Sequence, residues 1–155
     1  MSEYLSHKAA TDLNGDKTLG AIENQQLIEN IFAAVANGDG SLFRDSLADD
    51  VVMRVTGQYS WSNTFKGKSE LLKNLYGYLA TILEGGGKTI PTNIIANDNY
   101  VVVEAKGDMQ TKQGQPYNNE YCLVYKIENG KITEIREYCD SLLTETVLGT
   151  YPSNP

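Results

Sequence analysis

The stretch GQPYNNEYCLVYKIENGKITEIREYCD, residues 114–140, decides the fold class. It contains two runs of β-branched and aromatic residues separated by Asn129-Gly130, a dipeptide typical of a two-residue hairpin turn. Two more β-rich runs, at about 89–96 and 100–108, flank the turn-forming segment Asn97-Asp98-Asn99. The C-terminal half is therefore predicted to form an antiparallel sheet.

The N-terminal half has helical periodicity. Apolar residues recur at helical spacing in three segments: one from Ile22 to the stop at 37–40, a short one from Ser41, and one that follows Gly67 and ends at Gly85–Gly87. The run 51–56 predicts a strand between the second and third helices. Helices first and antiparallel strands afterwards indicate an α+β fold with the helices on one face of the sheet.

The chain has the size and composition of one domain. It has 155 residues, of which 41% are hydrophobic, enough for a core without disulfide or metal support. We predict a polar N-terminal tail over 1–20, a domain over 21–148 and a C-terminal tail over 149–155.

Charge and cysteine content restrict partners and location. The net charge of −7 disfavours nucleic acid and anionic membranes as partners, because both would be repelled. No apolar run approaches the ~20 residues of a membrane span, and residues 1–20 lack a signal-peptide core. Cys122 and Cys139 have no metal-ligand spacing to His7, so two reduced thiols in a cytoplasmic protein are expected, without a metal.

One segment resembles a calcium loop. In Asp12–Glu23, oxygen-bearing side chains fall at the EF-hand ligand positions one, three, five and twelve. Lys17 occupies the sixth position, where the sharp turn requires glycine, and the loop has no partner hand. We therefore expect no calcium site.

The hairpin turn predicts which residues share a face. If the turn contains two residues, positions whose numbers sum to 259 lie opposite each other. One face then carries Glu120, Cys122, Val124, Ile135, Glu137 and Cys139. The other carries Tyr121, Leu123, Tyr125, Ile127, Ile132, Glu134, Arg136, Tyr138 and Asp140.

Three segments together resemble the ketosteroid-isomerase and nuclear-transport-factor-2-like superfamily, in particular its SnoaL-like and limonene-epoxide-hydrolase-like branches. They are AAVANGDGSLFRDSLADDVVMRV (33–55), FKGKSELLKNL (65–75) and the hairpin stretch 114–140. The resemblance implies a cone-shaped, curved antiparallel or mixed sheet around a small-molecule pocket, with three N-terminal helices on its concave side. Its members differ widely in function, so the fold does not assign an activity.

The resemblance also implies a pocket carboxylate. The hairpin is similar to that of the epoxide hydrolases, whose final-strand pocket carboxylate falls on Glu137. The predicted register then places Glu120 diagonal to Glu137, and two carboxylates this close would raise one pKa. Alternatively, these glutamates pair with Lys106 or Arg54, or face solvent.

Other residues of the related branches are missing. The epoxide-hydrolase branch has an Arg-x-Asp pair where this chain has Glu104-x-Lys106 or Lys106-x-Asp108. The ketosteroid-isomerase branch has an aspartate near Val55 and a tyrosine near Ile31, so steroid isomerisation is not expected. Glu104 or Lys106 remains a candidate for orienting a substrate.

Aromatic residues suggest a ligand site and an interface. In this fold Tyr59 and Trp61 lie at the pocket mouth, where their rings would hold an apolar ligand; loop packing is the alternative. Tyr121, Tyr125 and Tyr138 predict a homodimer through the convex face of the sheet, unless the C-terminal segment covers them.

The leading functional hypothesis is an acid–base enzyme that isomerises, cyclises, dehydrates or hydrolyses a small molecule without a dedicated organic cofactor. Glu137 would be its acid or base and Glu120 the neighbour that raises its pKa. The alternative is a ligand-binding or protein-interaction domain without turnover.

Overall fold

The structure, a computed structural model, describes residues 19–153. The helical elements are α1 (Leu19–Ala36), α2 (Ser41–Ser46), α3 (Lys68–Glu70), a π-helical segment (Leu71–Gly77), α4 (Tyr78–Ile82), a 3₁₀ turn (Glu84–Gly86) and α5 (Ser141–Leu148). The strands are β1 (Leu47–Val55), β2 (Thr64–Lys66), β3 (Lys88–Asn97), β4 (Tyr100–Asp108), β5 (Glu120–Glu128) and β6 (Lys131–Cys139). Most of the predicted N-terminal tail and of the calcium-loop-like segment Asp12–Glu23 lies outside the described residues, and 19–23 belong to α1.

Six strands form one curved, unclosed sheet in the order β2-β1-β6-β5-β4-β3. Strand β1 runs parallel to β6, and the remaining neighbours are antiparallel. The predicted α+β class with a mixed sheet is confirmed. The helix from Lys68 to Ile82 continues through its π-helical segment without a break, as the predicted third helix.

The β5–β6 hairpin contains a bulge that changes its register. Asn129 and Gly130 both have positive φ, as a two-residue turn requires, and Glu128 lies opposite Lys131. Beyond the turn, Ile127 pairs with Ile132 but Lys126 pairs with Glu134, so Thr133 is an extra residue in β6. From there to Cys139 the paired numbers sum to 260, and the predicted sum of 259 is wrong over this part of the hairpin.

The core lies between the concave face of the sheet and the helices. Alternating residues of the central strands are buried there, among them Val101, Val103, Leu123, Tyr125 and Ile135. Helix α1 packs on β3 and β4, and its Phe32 contacts Tyr125 edge to face at 6.4 Å. The opposite, convex face carries more exposed residues and no described helix.

The last helix, which the sequence analysis did not predict, closes one side of the domain. Asp140 caps α5 by accepting a hydrogen bond from the backbone N–H of Leu143 at 3.0 Å. The chain then continues to Tyr151, which is buried although it lies beyond position 148. Its hydroxyl donates to the carbonyl of Asn74 at 2.9 Å, so the segment packs onto the third helix.

Within residues 19–153, no helix combines the length and the apolar character needed to cross a membrane.

Candidate active site

A cavity of about 500 Å³ lies between the concave face of the sheet, α1, the third helix and α5. Its wall is mainly aliphatic and aromatic, with a few polar groups. Polar side chains in this wall include those of Arg44, Tyr59, Tyr76, Tyr121, Tyr125 and Glu137. A cavity of this size with few convergent polar groups is typical of a small-molecule site.

Glu137 is the only acidic residue in the described wall of this cavity. It lies opposite Leu123 and, because it shares that residue's face, its side chain reaches the cavity. The carboxyl group retains some surface towards the cavity, but protein surrounds it. No hydrogen bond or ion pair to its side chain occurs among the described residues. Burial alone raises the pKa of Glu137 to about 7.

Four tyrosine side chains of the cavity wall are influenced electrostatically by this carboxyl group. Burial raises the pKa of the Tyr76 and Tyr125 phenols, and the charge on Glu137 contributes less to both. Burial also raises the pKa of Tyr59 and Tyr121, with a smaller contribution from the charge on Glu137. All four phenols are therefore protonated hydrogen-bond donors at neutral pH.

Two of these hydroxyl groups contact sulfur. The Tyr59 hydroxyl lies 3.4 Å from the Cys139 Sγ, and the Tyr76 hydroxyl donates to the Met53 Sδ at 3.7 Å. Thiol and thioether sulfur atoms are weak acceptors. Both hydroxyls can therefore exchange a weak partner for a ligand oxygen at small cost.

A buried polar network supports this end of the cavity. Asn119 is fully buried, and its Nδ2 donates to the Thr144 Oγ1 at 2.9 Å and to the Asp140 carbonyl at 3.0 Å. The Thr144 Oγ1 also lies 3.1 Å from the Tyr117 hydroxyl. A side-chain hydrogen bond joins Tyr117 to Tyr121, so the network positions a residue of the cavity wall.

Tyr59 and Trp61, which the sequence analysis placed at the pocket mouth, both line the cavity. Trp61 is buried, donates its indole N–H to the Gly149 carbonyl at 2.7 Å, and packs against Tyr151 at 4.9 Å between ring centroids. It therefore holds the C-terminal segment in place as well as forming part of the wall.

The structure places the other predicted site residues on the convex face. Glu120 is 77% exposed and pairs with Lys106 at 3.3 Å, so its predicted proximity to Glu137 is wrong. Glu104 lies on the same face and accepts a hydrogen bond from the Asn93 side chain at 3.1 Å. Glu120 lies on the opposite face from Glu137 because the bulge at Thr133 shifts the pairing of β5 and β6 by one residue.

The same bulge explains which site residues the sequence analysis assigned to the wrong face. Tyr121 and Tyr125 belong to the cavity wall, not to the convex surface, and Cys122 lies on the convex face. A signal was present in the sequence: Ile132 and Ile135 are three residues apart, whereas a regular strand buries every second residue.

Within the described part of the chain, no group of three or more His, Cys, Asp or Glu side chains could hold a metal ion. Cys122 and Cys139 are free thiols, and burial raises the pKa of Cys139.

Similar proteins agree with this architecture. An uncharacterized protein of Mycobacterium tuberculosis (strain H37Rv) is 24% identical over 121 residues, which cover 77% of this chain and 92% of the relative. An NTF2-like protein from Burkholderia xenovorans LB400 superimposes with a TM-score of 0.66 at 21% identity, covering 84% of this chain and 98% of that one. A Jannaschia protein assigned as a SnoaL-like polyketide cyclase superimposes with a TM-score of 0.71 at 13% identity, covering 88% and 99%.

At these identities the structural matches establish the fold alone. The model of the SnoaL-like domain matches residues 28–135, from α1 through to the cavity strand β6. The chain has the fold of the NTF2-like proteins. It belongs to the SnoaL-like domain family.

Proposed function

We propose that this protein is an acid–base enzyme that acts on a small, largely apolar molecule in the cavity, with Glu137 as the proton-transferring group. One observation carries the proposal: a carboxyl group without a hydrogen bond or ion pair among the described residues faces the cavity with a pKa of about 7. A general acid or base works best when its pKa is close to the working pH. Glu120, which faces solvent, has no part in this proposal.

The simplest chemistry for this arrangement is proton transfer at a carbon next to a carbonyl group. Ionised Glu137 takes the proton onto a carboxylate oxygen, the C–H electron pair forms the new C=C bond, and the C=O π pair moves onto the carbonyl oxygen. The protonated acid then returns the proton to another atom of the same substrate. The sequence is redox-neutral and gives an isomerisation, or a cyclisation if the enolate attacks a second carbonyl within the molecule.

Tyrosine hydroxyls supply the stabilisation that such a reaction needs. Negative charge develops on the carbonyl oxygen, and a donor near it lowers the barrier. Among the described residues, the Tyr59 and Tyr76 hydroxyls form hydrogen bonds with sulfur atoms only, and both tyrosines line the cavity with Glu137. We assign them the role of donors to the substrate oxygen.

The test is a ¹³C NMR titration of the glutamate carboxyl groups, with Glu137 assigned by comparison with the Glu137→Gln variant. We expect one carboxyl group to titrate at about pH 7 and to be missing from the variant. A Glu137 that titrates in the ordinary range of about 4.3 would overturn the acid–base assignment.

A control separates this effect from the general acidity of the chain. Glu120→Gln removes an exposed carboxylate from the same hairpin and should leave the high titration unchanged. If Glu137 titrates normally while the cavity still binds ligands, the alternative of a binding domain without turnover gains support.

A further inference from the structure

The described wall of the cavity contains two charged residues, Glu137 and Arg44. Glu137 is enclosed by protein, whereas Arg44 lies in the last turn of α2 and is exposed. The described wall therefore combines one carboxylic acid enclosed by protein with one permanent cation on a solvent-exposed side chain. Apolar and aromatic side chains form most of the remaining wall.

The Arg44 guanidinium lies close to the backbone of a glycine. A Cβ atom added at Gly40 would lie 3.0 Å from the Arg44 Nη1, so the guanidinium rests against the backbone of a residue that also lines the cavity. A Cβ atom at position 40 would require the guanidinium to shift by a few tenths of an ångström.

The Arg44 guanidinium has no ion pair or side-chain hydrogen bond among residues 19–153. Arg44 has a minor electrostatic effect on Asp39, whose pKa is lowered mainly by hydrogen bonds from Ser41. Burial alone sets the pKa of Glu137, so Arg44 does not compensate that carboxylate either. The chain has a net charge of −7, yet this arginine of the cavity wall has no ion pair with a described carboxylate. Its guanidinium is therefore available to bind the anionic group of a ligand.

We propose that the natural ligand is an amphipathic carboxylic acid, whose carboxylate binds Arg44 at the opening and whose apolar body fills the cavity towards Glu137. This inference deepens the proposed function, because it names the class of substrate. A single planar guanidinium matches a single carboxylate through two parallel hydrogen bonds. The anion at Arg44 also fixes the orientation in which an uncharged part of the ligand meets Glu137.

The test compares two probes that differ only in charge, 2-naphthylacetate and 2-naphthylacetamide, by isothermal titration calorimetry at pH 6. At this pH most of Glu137 is protonated, so it does not repel the anion. We expect the acid to bind about tenfold more tightly than the amide, as a charge-assisted hydrogen-bonded pair allows.

Two arginine variants test whether Arg44 causes the preference for the acid probe. In the Arg44→Gln variant the acid and the amide should bind with about equal affinity, and the affinity for the amide should be unchanged. Arg54→Gln removes the same charge from an exposed position on the convex side of β1 and should retain the preference. Equal affinities for both probes in the original protein, no binding of the acid at millimolar concentration, or an acid preference that survives in Arg44→Gln would each overturn the proposal.

A third variant separates this inference from the acid–base function. Glu137→Gln should keep the preference for the acid, because Arg44 is unchanged. If Glu137 titrates normally but the preference depends on Arg44, the acid–base function fails and anion recognition stands. If Glu137 titrates near pH 7 and the preference is absent, the reverse holds.

Discussion

Glu137 lies directly opposite Leu123 in the antiparallel pair of β6 and β5. Paired residues share a face, and Leu123 is buried in the cavity wall, so the Glu137 carboxyl group is held in an apolar environment. Its two strand neighbours on that face, Ile135 and Cys139, offer no charge that could compensate it. The raised pKa of Glu137 therefore follows from the strand register.

The first prediction concerns stability and pH. The pKa of Glu137 rises from 4.5 to about 7 on folding, so between these pH values the native state binds more protons than the unfolded state. The free energy of unfolding should therefore fall as pH rises from about 4.5 to 7. The Glu137→Gln variant lacks this loss. Its free energy of unfolding should exceed that of the original protein by at most about 3 kcal/mol at pH 8 and differ little from it at pH 4.5.

Urea denaturation at both pH values measures this difference. Glu120→Gln, at an exposed position, should show no comparable pH-dependent gain. An equal effect of Glu137→Gln at pH 4.5 and pH 8 would contradict the prediction.

The second prediction concerns the buried network. The Asn119 Oδ1 accepts a hydrogen bond from the Asp140 N–H at 2.9 Å, and the Asn119 Nδ2 donates one to the Thr144 Oγ1. Asn119→Ala leaves these groups without partners and should lower the free energy of unfolding by about 2–4 kcal/mol. The neighbouring Asn118→Ala removes an exposed amide and should cost about 1 kcal/mol. Thermal denaturation compares the two, and equal losses would show that the network contributes little.

The third prediction concerns the glycines at the edge of the cavity. Gly86 and Gly87 have φ of +80° and +76°, so alanine strains the backbone at either position. A Cβ at Gly86 meets open space, whereas one at Gly87 would lie 2.6 Å from the Met109 Sδ. Gly86→Ala should cost about 1 kcal/mol, and Gly87→Ala should cost more.

Combining Gly87→Ala with Met109→Ala identifies the source of the excess. The double variant should show less than the sum of the two single losses in urea denaturation, because the collision is then absent. Additive losses would mean that Met109 moves aside freely.

The fourth prediction concerns assembly. We propose a homodimer through the convex face, where Ile95, Val102 and Val124 form an exposed or half-exposed row across adjacent strands. Tyr138, which is exposed there, belongs to this surface, unlike Tyr121 and Tyr125. Such an apolar sheet face favours an isologous contact. Sedimentation should give about 34 kDa, twice the 17.1 kDa chain.

A matched pair of charge insertions tests the surface. Val124→Asp places a carboxylate within the row and should yield a monomer. Leu142→Asp alters a more exposed apolar residue on α5 and should leave the dimer intact. A monomeric original protein, or a Val124→Asp dimer, would rule out this interface.

Local sequence signals determined most of the fold. Helical periodicity and strand alternation gave the three N-terminal helices and five of the strands, because burial of one face imposes those periods on the residues. The short β2 and α5 were not predicted. β2 has three residues and α5 is signalled chiefly by the Asp140 cap, so neither forms a long apolar pattern.

The candidate site was identified partly from the sequence and partly from the tertiary structure. The resemblance to relatives selected Glu137, and Tyr59 and Trp61 also reach the cavity. Only the tertiary structure showed that Glu120, Glu104 and Lys106 lie outside the cavity wall. It also added Tyr76, Tyr121, Tyr125 and Arg44 to that wall. The reason is geometric: side chains alternate with a period of two, so one extra residue, Thr133, exchanges the faces of a strand relative to its partner. Residue identity sets what a side chain can do, but register sets which side chains meet.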